Sequence, residues 1–322
     1  MEDSMKIPHH IESHVSHNLD DDKVTVVIAT YNRSLYLLDA LASVFAQTFQ
    51  NFEVVIVDDG STDNTTVVLE PHLNRLRYVK QPHGGEASAR NRGIREARTR
   101  YVAFLDSDDL WEPQFLETVI GHLNKHPEIA MISTGCRVFP GGNRRPCLSS
   151  AIVHGYCYPL LYARNVVTAS AVVVKRSCFE QIGCFDETLD QATDYDMWLR
   201  IAKIHQIAIL NEPLCRWRAH AGNASRSEVR HRECALRVVS THSDHPSLTE
   251  KLRHSRRSRL LTSLGRAYLN AGDLDQASRC FSESVTLTPY RFRSWQYLVL
   301  AWVRRTWFPY KRSPHIGHRN SS

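Results

Sequence analysis

Short apolar, β-branched runs recur through the first part of this chain, each followed by polar residues and then by a helical pattern. The runs are Val24–Ala29 (VTVVIA), Phe52–Val57, Arg77–Val79, Tyr101–Leu105 and Ile129–Ser133. Between them the apolar spacing turns helical: Leu35, Leu38, Leu41, Val44 and Phe45 share one face of a helix from Ser34. Ser61–Asp63 supply capping residues for a helix ending near Pro71, another helix covers about Glu86 to Ala97, and Pro113 suits the first turn of one reaching Leu123. Strands that are apolar on both faces and alternate with helices predict a doubly wound, mostly parallel α/β sheet covered by helices on both sides.

Such sheets bind ligands at the carboxyl ends of their strands. The informative polar residues fall there: Thr30-Tyr31-Asn32, Asp58-Asp59 and Asp106-Ser107-Asp108-Asp109. Further on, a strand is expected at Ala171–Val174 and a helix at Asp194–Ala202. From about 250 the pattern is helical, with Leu264-Gly265, Tyr268, Gly272, Ala277, Phe281 and Pro289 at the spacing of a tetratricopeptide helix hairpin. Trp295, Leu298 and Trp302 follow one period later and are expected to pack on that hairpin. The expected divisions are a polar tail at 1–22, an α/β domain at 23–225, a helical linker at 226–250 and a helical, tetratricopeptide-like region with a basic tail at 251–322.

Charge is uneven. Residues 226–322 hold 18 Lys/Arg against 7 Asp/Glu, a balance of +11, and the preceding 225 hold 22 against 27, or −5. Charge alone leaves anionic lipid, nucleic acid and acidic glycan open as partners of the basic part. The eight cysteines form no CxxC pair, and the first residues lack the apolar core of a secretory signal, so reduced thiols in the cytoplasm are expected. His9, His10, His14 and His17 read as a solvated tail rather than a metal site, because no Cys or carboxylate frame accompanies them.

Asp106, Asp108 and Asp109 are too close to stay ionised without a counter-charge, and a hard divalent cation, Mg²⁺ or Mn²⁺, supplies one with oxygen ligands. An Asp-rich helix start is the alternative on local sequence. A carboxylate at Asp58-Asp59 suits a nucleobase imide or a ribose hydroxyl, though a turn with a helix cap reads the same way. His83-Gly84-Gly85 runs into a helix carrying Arg90 and fits neither GxGxxG nor GxxxxGK[ST]. Its amides and Arg90 suit a ribose or diphosphate, and tight turning explains the glycines equally well.

Together, Val27–Arg33 (VIATYNR), Asp58–Asp63 (DDGSTD), Gly84-Gly85 with Ala89–Gly93 (ARNRG), and Leu105–Asp109 (LDSDD) resemble the inverting, GT-A type family 2 glycosyltransferases over about 23–225. Gly183–Glu187 (GCFDE) is similar to that family's GGFDE turn, and Asp194-Tyr195-Asp196 to its catalytic segment, with Thr193 in place of the usual Glu.

The resemblance implies nucleotide-sugar contacts from Thr30, Tyr31, Asn32, Asp59 (on the base), Gly85, Arg90, Asp106, Ser107, Asp108 and His220. It implies a divalent cation on Asp106 and Asp108 and a catalytic base at Asp194. Arg216 and Arg218-Ala219-His220 resemble the loop that closes over the diphosphate. Acceptor contacts are expected from Thr168, Ser170, Asp186 and Glu187. The implied activity is inverting transfer from a nucleotide sugar, UDP-linked by analogy, to a glycan or lipid-linked acceptor, with no nucleic-acid partner. The basic C-terminal region is expected to touch the inner face of the cell membrane, and the helical repeat to offer a protein-binding surface. A nucleotidyltransferase and an inactive sugar-nucleotide-binding scaffold are the competing readings. The first lacks its glycine-rich triphosphate loop here, and the second must explain why Asp59, Asp106, Asp108 and Asp194 occur together.

Overall fold

The computed structural model describes residues 22–141, 152–220 and 228–307. The first half is βα alternation: β1 (Val24–Thr30), α1 (Ser34–Phe45), β2 (Phe52–Asp58), α2 (Thr65–Leu69), β3 (Arg77–Lys80), α3 (Glu86–Glu96), β4 (Tyr101–Asp106), β5 (Leu110–Trp111), α4 (Phe115–Lys125) and β6 (Ile129–Phe139). Then come β7 (Ile152–Gly155), α5 (Tyr158–Ala163), β8 (Val172–Lys175), α6 (Arg176–Ile182), α7 (Thr193–Ile204) and β9 (Gln206–Arg218). Four helices follow: α8 (Glu228–Thr241), α9 (Glu250–Ala271), α10 (Leu274–Leu287) and α11 (Phe292–Trp307).

The nine strands form one mixed sheet in the order β3-β2-β1-β4-β8-β6-β9-β5, with β7 paired to β9. β3, β2, β1 and β4 are parallel, β8 runs antiparallel between β4 and β6, and β9 is parallel to β6. Most strands thus run one way, as expected, but the apolar run Val172–Val174 is reversed. A strand buried on both faces has the same sequence pattern in either direction.

Period-2 alternation explains the two cores. Val102 and Phe104 of β4, and Val172 and Val174 of β8, face the layer of α3, α5, α6 and α7. Tyr101, Ala103, Leu105 and Val173 face the layer of α1 and α4. Phe104 meets Phe185 and Phe179 edge-on at 5.5 and 6.1 Å, and Trp198 packs edge-on against Phe185 at 5.9 Å. Pairs of this geometry contribute about 0.5–1.5 kcal/mol each beyond the area they bury. Buried Asn91 of α3 fixes Phe185 in place, accepting from its N–H at 2.8 Å and donating to its carbonyl at 3.0 Å.

The segment expected to be a linker is instead packed. Ala235, Val238 and Val239 of α8, with Leu248 and Leu260, belong to the same core as α7 and β4. His242, just past α8, meets Asp196 of α7 at 2.8 Å, and Tyr158 donates to the His242 carbonyl at 2.6 Å. Asp196 also binds Arg200, which donates to the Ile182 and Cys184 carbonyls. The apolar residues of α8 are sparse among charged ones, so its sequence hides that it has a buried face.

Next, α9, α10 and α11 pack side by side around Phe281, Ala277 and Ala301. Ser258, Thr262, Ser284, Thr288 and Ser294 satisfy one another's hydroxyls between them. The expected packing of α11 is partly corrected. Leu298 and Tyr297 join that cluster, but Trp295 is 44% and Trp302 59% exposed. No described element lies beyond α11 to cover that face. No described helix is long and apolar enough to cross a membrane.

Two helical glycines make the packing testable. A Cβ on Gly93 of α3 would stand 2.2 Å from Val27 Cγ1, whereas one on Gly121 of α4 meets nothing within 4 Å. Gly121→Ala is expected to stabilise the protein by up to about 1 kcal/mol through helix propensity. Gly93→Ala is expected to destabilise it by about 1–3 kcal/mol despite the same propensity gain. Thermal melting of the two variants checks the opposite signs.

Candidate active site

The acidic run at the end of β4 is held by three separate devices. Asp109 is buried, and its carboxylate accepts from Ser170 Oγ at 2.6 Å and from the Arg218 amide at 2.9 Å. Burial, with the Asp106 and Asp108 charges, pushes its pKa well above the carboxylate range against those two hydrogen bonds. Asp106 receives Arg90 at 2.6 Å, and its amide donates to Ser170 Oγ. Asp108 faces His220 Nε2 at 2.8 Å and Arg33 Nε at 3.9 Å. The third carboxylate is therefore an anchor, leaving Asp106 and Asp108 to line a cavity of about 700 Å³.

Ser170 is the main correction among the expected site residues. It was expected on the acceptor side, but it is wholly buried and braces the acidic loop. Asp186 and Glu187 do not line the cavity either. Asp186 accepts from the Thr188 amide, and Glu187 from Asn91 Nδ2, so both serve the turn that carries Phe185. Thr168 does line the cavity.

Asp59 is almost wholly buried at the end of its loop, so its carboxylate has to be satisfied. One oxygen accepts from the Gly84 amide and Gln81 Nε2, at 2.9 and 2.8 Å. The other accepts from the Gly85 amide at 2.8 Å and faces His83 Nδ1 at 2.7 Å. The Gly85 amide, expected on the ligand, is thus taken by Asp59. Gln81 and His83 are the side-chain donors that can yield their places to a ligand. Tyr31 stacks on His83 with centroids 4.1 Å apart and stays partly exposed, which makes a flat platform beside Asp59. Asn32, at φ 52°, is turned away from the cavity and accepts from the Thr62 amide. Thr30 Oγ1 is buried on the cavity wall with no hydrogen-bond partner, an orphan group that a ligand would satisfy.

Asp194 enters the same cavity from the first turn of α7. Ala192 just before it has φ 60°, a left-handed conformation costing about 1–2 kcal/mol that re-aims the chain there. One Asp194 oxygen accepts from the Tyr195 amide. Burial raises its pKa, with Arg90 pulling the other way. At the cavity rim, Arg90 lowers the pKa of Glu86, but desolvation and the charges of Asp106, Asp194 and Asp108 outweigh it and push Glu86 up to about 7. The cavity therefore carries surplus negative charge, and its carboxylate oxygens suit a hard divalent cation at Asp106 and Asp108. The cluster His126, Glu128 and His154 lies apart, before β6 and on β7, and none of its members lines the cavity.

The motifs gave no role to the side chains of Arg33, Gln81, His83 and Glu86, which are ordinary helix or loop residues until the fold gathers them. It also missed a whole wall: His231, Arg232 and Ala235 of α8, with Arg256, Leu260 and Ser263 of α9. The basic excess after residue 225 was its only trace.

Residues 25–162 match the family model described as Glycosyl transferase family 2. A relative named as an uncharacterized glycosyltransferase from Rickettsia prowazekii is 28% identical over 66% of this chain and 69% of its own length. A chondroitin synthase from Escherichia coli is 30% identical over 63% of this chain, and the match covers only 30% of that longer protein. Of solved structures, S. aureus TarS 1-349 in complex with UDP-GlcNAc aligns with TM-score 0.63 and 18% identity over 90% of this chain and 93% of that one. A mannosyltransferase from Pyrobaculum calidifontis in complex with GDP-Man and Mn²⁺ aligns with TM-score 0.59 and 21% identity over 88% and 87%. At these identities the structural matches speak to the fold.

Ser170→Ala removes a donor to Asp109 and an acceptor for the Asp106 amide at once. It is expected to cost about 1–3 kcal/mol, the penalty of an unsatisfied buried group. Urea unfolding of the variant against the wild type measures it.

Proposed function

We propose that this chain, whose residues 25–162 match the family model described as Glycosyl transferase family 2, moves a sugar from a UDP-linked donor to an acceptor hydroxyl with inversion, in cell-surface polysaccharide or glycolipid synthesis. The observation that carries this reading is that Asp106, Asp108 and Asp194 line one cavity. The UDP-GlcNAc bound to TarS and the naming of the E. coli relative as a polysaccharide synthase support the donor and the pathway class.

In this reading the base stacks on Tyr31, which His83 backs, Asp59 accepts from the base once Gln81 or His83 yields, and Thr30 Oγ1 meets the nucleotide. Arg90 and His220 steady Asp106 and Asp108 and face the diphosphate. A divalent cation, when bound by Asp106 and Asp108, neutralises charge developing on the leaving diphosphate. Asp194 takes the acceptor's proton as the hydroxyl attacks. Its raised pKa brings it nearer to working pH, which makes it a better base than an ordinary carboxylate while it remains ionised. Thr168 contacts the acceptor. Asp196, in the same short segment, has no such role because Arg200 and His242 occupy it.

Two variants separate the roles. Asp108→Asn is expected to weaken Mn²⁺-dependent nucleotide binding in calorimetry. Asp194→Asn is expected to keep that binding and lose about 10²–10⁴ in turnover. Wild-type turnover by Asp194→Asn would overturn the base assignment. The base must be ionised, so activity is expected to fall as pH drops through the raised Asp194 pKa. The acid limb of the kcat profile then lies higher than an ordinary aspartate would place it, and Asp194→Asn flattens it.

The chain is also proposed to work in the cytoplasm, peripheral to the membrane. Phe292, Trp295, Val299 and Trp302 share an exposed apolar face of α11, and Arg304, Arg305, Lys311 and Arg312 follow it in sequence. Residues 308–322 lie outside the described residues. The same face would serve a protein partner of the helical region. Anionic vesicles are expected to co-sediment the full chain at low salt and release it at high salt, and a chain ending at Val303 is expected to bind less. Equal binding by both chains would remove the membrane role.

A further inference from the structure

We propose that the acceptor is a polyanion, carrying carboxylate or phosphate groups along its length, and that arginines of α9 and its neighbours read those charges as it enters the catalytic cavity. The inference rests on the glycosyltransferase reading and names the acceptor class of that site.

Arg256 is the starting point. It lines the cavity, and Nη2 donates to the Tyr195 hydroxyl at 3.3 Å, one residue from Asp194. Its Nε is buried with no hydrogen-bond partner, and no described carboxylate pairs with its guanidinium. Other guanidiniums nearby are matched: Arg90 with Asp106, Arg200 with Asp196, and Arg257, the next residue, with Glu283. A half-buried cation without a counter-charge is costly unless a ligand supplies one.

The charge continues outward. Arg259, one turn along α9 and largely exposed, is held below its ordinary pKa by partial desolvation and by the Arg256 and Arg164 charges. Arg291 is lowered in turn by burial, Arg259 and Arg293. Arg259 Nη2 donates to the Ala163 carbonyl at 3.2 Å, which brings α9 against the segment that carries Arg164. Arg164 immediately precedes Asn165 and Val166, which line the cavity, so the strip runs into it. On the cavity wall itself stand His231 and Arg232 of α8, the latter already paired with Glu228 at 3.7 Å. The donor's diphosphate is assigned instead to Arg90 and the Asp106–Asp108 pair, which come from α3 and the end of β4 rather than from α8 or α9. A strip of several cations suits repeated anions, and the cavity it leads to suits a chain rather than a flat bilayer.

The test uses the full chain and three oligomers of equal length: a neutral oligosaccharide, one containing uronic acid, and a phosphodiester-linked polyol. Binding is measured by calorimetry at low and high salt. One anionic oligomer is expected to bind about tenfold or more tighter than the neutral one, as expected for charge-assisted hydrogen bonds. Which of the two does so identifies carboxylate or phosphate. Arg256→Gln is expected to remove most of that preference, and Arg256→Lys to restore part of it. In transfer assays Arg256→Gln raises the acceptor KM more than it lowers kcat. Should Arg256→Gln melt early, the exposed Arg259→Gln carries the same comparison. Equal binding of neutral and anionic oligomers would overturn the proposal. So would anionic preference untouched by both substitutions, or binding to anionic vesicles alone. Failure to bind or cleave any nucleotide sugar would instead remove the transferase reading and leave the oligomer result standing.

Discussion

Three carboxylates within four residues at the end of β4 repel one another, and much of the site can be understood as what holds them there. Asp109 is anchored by Ser170 and the Arg218 amide, Asp106 by Arg90, and Asp108 by His220 and Arg33. The partners come from α3, from the turn before β8 and from the end of β9, so the acidic loop depends on distant parts of the sheet being in place. The antiparallel insertion of β8 next to β4 has a direct purpose in this scheme, since it delivers Ser170 beneath the loop.

The second dependence runs through α7. Asp194 and Asp196 sit two residues apart and point to different work. Asp194 faces the cavity, and Asp196 is tied to Arg200 and His242. Through His242 the helices after the α/β sheet become part of the site, and they share the apolar core of α7. A cavity walled on one side by acids and on another by α8 and α9 arginines separates a donor half from an acceptor half in the proposed reaction.

The α/β fold was legible because β-branched runs such as VTVVIA are unmistakable and their carboxyl ends carry the polar residues. Strand direction was not, because an apolar run such as Val172–Val174 looks the same reversed. Asp106, Asp108, Arg90 and Asp194 could be named from motifs, but the use of each neighbouring residue could not. Ser170 reads as an exposed hydroxyl until it is known to be buried. The Gly84-Gly85 loop reads as a ligand cradle until its amides are found to be spent on Asp59. The α8–α9 wall was hidden for another reason: its contribution depends on tertiary contact between sparse apolar residues, which leave little periodic signal.

In the proposed reaction one displacement, driven by one base in the Asp106–Asp108 cavity, does the chemistry. Proton NMR of the glycosidic product, through the coupling of its anomeric proton, reads it most directly. The account predicts an anomeric configuration opposite to that of the donor sugar. Retention of the donor's configuration would contradict it, because retention requires a second displacement or a nucleophile for which the account gives no role to Asp194.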